Sequence, residues 1–168
     1  MAAQTMAAFP GGAVLVGDPV TCAASRFEAT TKGAMWSVVI SLCEGIMVAA
    51  VAPDSVSYVR VRGALVAIDA NGKQSWKIPV GDEPIPGALL APAVTLDSRV
   101  VVATGSRVVV AFKNDGTQAW RFGVAEDEVL VASPMASRGE GIFLLTNHAV
   151  YNLGADGTLR FRRARAAS

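Results

Sequence analysis

The sequence predicts an all-β protein built from a repeated four-stranded unit, and three features carry that prediction. The chain is 52 % apolar yet only 7 % aromatic, because valine and alanine dominate. A branched Cβ suits the pleated, packed surface of a strand better than a helix. Sixteen glycines and eight prolines in 168 residues supply many turn positions, and a chain of this length can bury a real core. Most telling is a segment, a turn followed by an aromatic strand, that recurs three times.

Ala67 onward reads AIDANGKQSWKI, Ala111 onward AFKNDGTQAWRF and Asn152 onward NLGADGTLRFRR. Trp76, Trp120 and Phe161 fall at the same place, 44 and 41 residues apart, and Gly72, Gly116 and Gly157 keep those spacings. A period of about 40 to 45 residues with four strands per unit marks a β-propeller. On this period the chain divides into an N-terminal segment, 1–32, and three blades at about 33–80, 87–124 and 129–163, ending in a short basic tail. The expected architecture is an incomplete ring of about three to three and a half blades.

In the N-terminal segment, Ala13 to Val16 and Ser25 to Ala29 read as the last two strands of a preceding blade, with Phe27 in the aromatic position. The first full unit opens on Gly33 to Ala50, which aligns without a gap on Gly87 to Thr104 and on Val129 to Thr146. Residues 53–62 then read as an insertion between its second and third strands. In the second unit the strands fall at Leu89 to Thr95, Arg99 to Thr104, Arg107 to Phe112 and Thr117 to Phe122. The middle two are almost wholly apolar, as expected of strands covered on both faces. Asn71-Gly72, Asp115-Gly116 and Asp156-Gly157 supply the positive φ that tight hairpins need. The fourth strand alternates, Trp76 and Ile78 against Ser75 and Lys77, so one face packs and the other meets water. Lys77, Arg121 and Arg162 occupy matching positions there and read as a solvated face that discourages edge pairing.

Residues 34–52 are a nearly continuous apolar run, long enough to cross a bilayer as a helix. The aligned copies break at Leu96-Asp97-Ser98-Arg99 and Arg138-Gly139-Glu140-Gly141, which are turns. Two strands joined by a turn explain all three copies, whereas a membrane helix explains only one. Attachment to a membrane through 34–52 is the lesser reading.

The stretch Ala67-Ile68-Asp69-Ala70-Asn71-Gly72-Lys73-Gln74-Ser75-Trp76 resembles the blade motif of the PQQ-like repeat family, roughly Ala-Leu-Asp-x-x-Gly-x-x-x-Trp. The second unit keeps Ala111, Gly116 and Trp120 but has Lys113 for the aspartate; the third keeps Gly157 and has Gly154 and Phe161. The resemblance spans roughly residues 33–163. It implies two functions of different class. Scaffold members of the family bind protein partners, and quinoprotein dehydrogenases hold a quinone with a catalytic aspartate and calcium. No segment matches the cofactor motifs, so no catalytic, cofactor or metal residue carries over and no cofactor is expected. Asp69 belongs to the blade motif and reads as a turn hydrogen bond.

The remaining chemistry is sparse. His148, the only histidine, falls in a turn without companion ligands. Glu126, Asp127 and Glu128 read as a solvated loop between blades. With a net charge of +1 there is no global field to draw nucleic acid or acidic lipid, and Arg160, Arg162, Arg163 and Arg165 read as a solvated chain end. Phosphate-binding glycine loops are absent. Cys22 and Cys43 are too few for a disulfide framework and are expected as free thiols. Met1 to Pro10 carries no basic segment leading into a long apolar run, which favours the cytoplasm, with a chain whose leader has been removed as the alternative. The expectation is a non-catalytic propeller module that binds a protein partner or completes a ring with another chain. No small-molecule substrate is identifiable.

Overall fold

The computed structural model describes residues 5–41, 43, 47–81, 89–138 and 141–165. They form sixteen strands in four antiparallel sheets of four strands each. The first sheet holds β1 (Thr5–Ala8), β2 (Val14–Asp18), β3 (Ala23–Phe27) and β4 (Ala34–Val39); the second β5 (Met47–Val51), β6 (Ser57–Val61), β7 (Gly63–Ile68) and β8 (Gln74–Gly81). The third comprises β9 (Ala93–Val94), β10 (Val100–Thr104), β11 (Val108–Phe112) and β12 (Gln118–Gly123), and the fourth β13 (Met135–Ala136), β14 (Gly141–Leu145), β15 (Ala149–Gly154) and β16 (Leu159–Ala164). Every sheet is an up-and-down meander in chain order. This is the all-β propeller architecture that the repeat predicts, with one more complete blade than the period assigned.

The difference lies in the first 62 residues. Ala34–Val39 is the outer strand of the first sheet, paired along β3, and not the first strand of the second. The first strand of the second sheet is β5, and residues 57–61 are its second strand, paired with both β5 and β7. There is therefore no insertion at 53–62. The aromatic residue of the first blade is Trp36, not Phe27, which ends β3. The gapless match of 33–50 on 87–104 fails because it lays a first strand, β5, over a second strand, β10. Residues 34–52 belong to two strands of two sheets, and no helix among the described residues is long and apolar enough to cross a membrane. Parts of other expected features lie outside the described residues: Met1 to Gln4, Glu44, Gly87 and the Gly139-Glu140 turn.

Three apolar cores join four sheets. One lies between the first and second sheets around Leu15, Ile40, Val59 and Val66, the next between the second and third around Leu65, Ala67, Val100 and Val102. The last, between the third and fourth, holds Val101, Val109, Ile142 and Leu153. Alternate residues of one strand serve different cores: Val101 faces forward and Val100 and Val102 backward. That is why the central strands are apolar without interruption. No core among the described residues joins the fourth sheet to the first, so the described residues form an open arc.

The Cys22–Cys43 pair is a disulfide with a Cα–Cα distance of 5.6 Å, not two free thiols. It ties the start of β3 to the segment leaving β4, next to the core between the first two sheets, where Cys43 is fully buried. Two cysteines 21 residues apart carry no pairing signal in sequence, because loop spacing does not reveal which turns come together in space.

Candidate functional site

The repeated turn-and-aromatic segment builds the joints of the arc. In each of the last three sheets the glycine before the fourth strand has positive φ: +82° at Gly72, +83° at Gly116 and +84° at Gly157. The space beside each α-carbon is filled by the indole of the preceding blade. A Cβ on Gly72, Gly116 or Gly157 would lie 2.6, 3.1 or 2.5 Å from Trp36, Trp76 or Trp120 respectively. Each indole then donates from Nε1 to a carbonyl of the same turn: Trp36 to Ala70 (3.0 Å), Trp76 to Asn114 (2.7 Å), Trp120 to Ala155 (2.8 Å). Glycine is required twice, for the backbone and for the ring above it.

The carboxylates of these turns are structural. Asp69 Oδ1 accepts from the amides of Asn71 and Lys73, each at 2.9 Å, the turn hydrogen bond that its place in the motif predicts. Where Lys113 and Gly154 replace that aspartate, Asp115 and Asp156, two positions further on, accept from the amides and hydroxyls of Thr117 and Thr158. The Thr117 and Thr158 hydroxyl and amide bonds hold both carboxyls below the usual carboxylate range. The departures from the family pattern thus move the turn's acceptor without losing it.

Several charged groups depart from the solvated roles their sequence context suggests. Glu128, expected in a solvated loop, is completely buried. Its Oε2 accepts from Thr146 Oγ1, and its Oε1 from Arg162 Nε at 2.9 Å and from Arg162 Nη2. Burial pushes the carboxyl up, but the Thr146 and Arg162 hydrogen bonds and the guanidinium charge outweigh it and leave it below its ordinary value. Lys77 likewise reaches back to the preceding connection, donating to the carbonyl and hydroxyl of Ser41 at 3.2 and 3.1 Å. Arg121 is exposed, as expected, and lines a 440 Å³ cleft with Pro79, Gly81 and Thr104. The basic tail is a strand, not a loose end: Arg163 stacks on Phe161, and Arg165 donates to the carbonyl of Thr146. Sequence reasoning also passed over Arg60, which is fully buried and donates to the carbonyl of Leu90 at 3.3 Å. Its one signal was a charge inside the apolar run Val59-Arg60-Val61.

His148 sits exposed in the turn between β14 and β15. Among the described residues no three His, Cys, Asp or Glu side chains are grouped to hold a metal ion.

Two further surfaces lie at the ends of the arc. In register, Val14 and Val16 of the first sheet correspond to Val100 and Val102 of the third, which lie fully buried under the preceding sheet. Val14 and Val16 are half-buried, and on the same face Met6, Phe27 and Val39 are exposed. At the other end Phe161 stands where Trp36, Trp76 and Trp120 stand, with no turn of the described residues over it; it packs edge-on against Phe143 of its own sheet.

The sequence model of the family described as outer membrane protein assembly factor BamB matches residues 23–166. The chain belongs to that family. Among solved structures it resembles BamB from Moraxella catarrhalis at 16 % identity and a TM-score of 0.72, over 94 % of this chain and 51 % of that one. It also resembles a streptogramin B lyase (10 % identity, TM-score 0.75, 97 % of this chain and 54 % of that one). A third is the dihydro-heme d1 dehydrogenase NirN in complex with DHE (15 %, TM-score 0.77, 95 % and 36 %). These identities speak for the fold alone, since one propeller scaffold carries unrelated functions. The chain spans about half the length of the first of them. No curated protein matches its sequence significantly.

Proposed function

We propose that this chain is a non-catalytic propeller module whose role is to bind protein. The observation that carries the reading is the pair of apolar sheet faces at the ends of the arc. The first keeps the valines of a buried inter-blade face, and the second keeps Phe143, Leu145, Val150 and Phe161 of that pattern with Arg163 laid over the Phe161 ring; exposed apolar patches mark interaction surfaces. Membership of the BamB family supports a protein-binding role in general. The charged groups that could have served chemistry have structural work instead: Asp69, Asp115 and Asp156 close turns, and Glu128 is committed to Arg162 and Thr146. The Cys22–Cys43 disulfide supports an oxidising compartment over the cytoplasm favoured by the sequence.

The competing reading is a piece of a quinone-dependent dehydrogenase, and titration with pyrroloquinoline quinone followed by absorbance separates the two. The proposal expects no saturable spectral change. Stoichiometric, saturable binding of the quinone would replace a protein-binding role by a cofactor-binding one.

A further inference from the structure

The three hairpin tips that carry the joints are alike in backbone but not in chemistry. Asn71-Gly72, Asp115-Gly116 and Asp156-Gly157 occupy the same place, each with an exposed first residue and a glycine at positive φ. Asp115 and Asp156 are committed: each Oδ1 accepts from the amide and the hydroxyl of a threonine two residues on. The first tip has Lys73 where those threonines stand. No hydrogen bond among the described residues involves the Asn71 side chain; only its backbone amide is bonded, to Asp69 Oδ1. It is also the one carboxamide of the three, so it alone carries an amine as leaving group. The chain's other asparagines are placed differently. Asn114 bonds to Tyr58 and Asp54, Asn147 accepts from the amide of Val129, and Asn152 is buried. Each of those is followed by a residue whose side chain crowds the next amide nitrogen, Asp115, His148 or Leu153, whereas Asn71 is followed by glycine.

We propose that Asn71 is a self-modification site, at which attack by the Gly72 nitrogen converts the asparagine to aspartate and isoaspartate and thereby loosens the joint between the first and second sheets. Asparagine is among the thermolabile residues. The Gly72 N–H donates to the Asp69 carbonyl at 3.1 Å, at the long end of the N–H···O range, and an exposed hairpin tip opens locally at little cost. Once that bond opens, the Gly72 nitrogen gives its proton to solvent and attacks Asn71 Cγ. The Cγ–Nδ2 bond breaks, Nδ2 takes a proton from solvent and leaves as ammonia, and a succinimide ring closes. Water then opens the ring: addition at Cγ gives aspartate, and addition at the main-chain carbonyl gives isoaspartate. Aspartate leaves the turn as it is, since the other two tips carry one there. Isoaspartate routes the chain through Cβ and inserts a methylene beside Gly72. A Cβ placed on Gly72 would lie 2.6 Å from the Trp36 ring, which also donates to the Ala70 carbonyl at 3.0 Å. The lengthened turn has no room under the indole, so ring and turn must part.

The test ages the folded chain at mildly alkaline pH and body temperature, maps the tryptic peptide 63–73 that Arg62 and Lys73 delimit, and records the indole N–H signals of the same sample. The expected result is a time-dependent amide-to-acid mass gain in that peptide alone, divided between aspartate and isoaspartate. A displaced Trp36 signal should grow in step with the isoaspartate fraction while the Trp120 signal stays unmoved. Asn71→Gln should remain unmodified over the same period, and Asn71→Asp, which makes one product directly, should keep the parent's Trp36 signal. A folded chain that stays unmodified while the isolated peptide 63–73 converts would overturn the proposal, because the turn would then shut out the attack. Faster conversion at Asn114, Asn147 or Asn152 would overturn it as well. Isoaspartate formed with the Trp36 signal in place, or a signal displaced equally by Asn71→Asp, would overturn the link between the longer turn and the joint.

Discussion

Reduction of the Cys22–Cys43 bond should cost the chain about 3 kcal/mol. The bond closes a loop with a sequence separation of 21 residues. In the chain-entropy picture, a loop of that size removes about 11 cal/mol/K from the unfolded ensemble, or roughly 3 kcal/mol at room temperature. The bond also holds the connection between the first two sheets against a core in which Cys43 and Ile40 are fully buried. Opening it should therefore loosen that joint before the others. The assay is urea unfolding of the oxidised chain, the chain in excess reductant, and Cys22→Ala/Cys43→Ala. The last two should share a midpoint below the first, and a loss of this size lowers Tm by roughly 6–12 °C for a chain of this length. An unchanged midpoint under reductant, with both thiols then shown free, would refute the argument, because it would mean that the bond constrains nothing in the unfolded chain.

Two further outcomes follow from the joints. Trp120→Ala should destabilise by about 3 kcal/mol, roughly 2 for a half-buried ring and about 1 for the indole bond to Ala155, whereas Trp120→Phe should lose only about the latter; equal losses in urea unfolding would show that the ring's packing contributes little. Glu128 is held below its ordinary pKa of 4.5 in the fold, so its stabilising contribution is complete above that pH and is lost as pH falls through the folded value. Glu128→Gln should flatten that part of the stability–pH curve, and a curve that falls as steeply as the parent's would place the acid sensitivity elsewhere.

The period of the fold was legible because turn glycines and ring-bearing strands are local signals, each forced by its own backbone geometry. Gly72, Gly116 and Gly157 with Trp76, Trp120 and Phe161 set it without any knowledge of pairing. The phase of the first blades was not legible. Ala34–Val39 is as apolar in sequence as Met47–Val51 although it is an exposed outer strand, so it reads like the covered inner strands of a blade. Trp36 would have resolved it: it lies 40 residues before Trp76, a spacing of the same kind as the later ones. Glu128 and Arg162 were hidden for another reason. They are 34 residues apart and meet only because the fourth sheet's outer strand folds back over the preceding connection. A charge in a loop and a charge on an edge strand each read correctly as solvated until the fold pairs them. The open end faces stayed unassigned to residues because the first blade's own end was misplaced.

The most direct test of the account is the pairing of rings with glycines, read from the indole N–H signals of the 15N-labelled chain, which has three tryptophans. The account predicts that Gly72→Ala displaces the Trp36 signal and leaves that of Trp120 unmoved, that Gly157→Ala displaces Trp120 and leaves Trp36 unmoved, and that Gly116→Ala displaces Trp76. All three signals should also exchange slowly with solvent, since each N–H is bonded to a turn carbonyl. A Trp36 signal indifferent to Gly72→Ala, or exchanging at the rate of a free indole, would contradict the four-blade arc and return Ala34–Val39 to the second sheet.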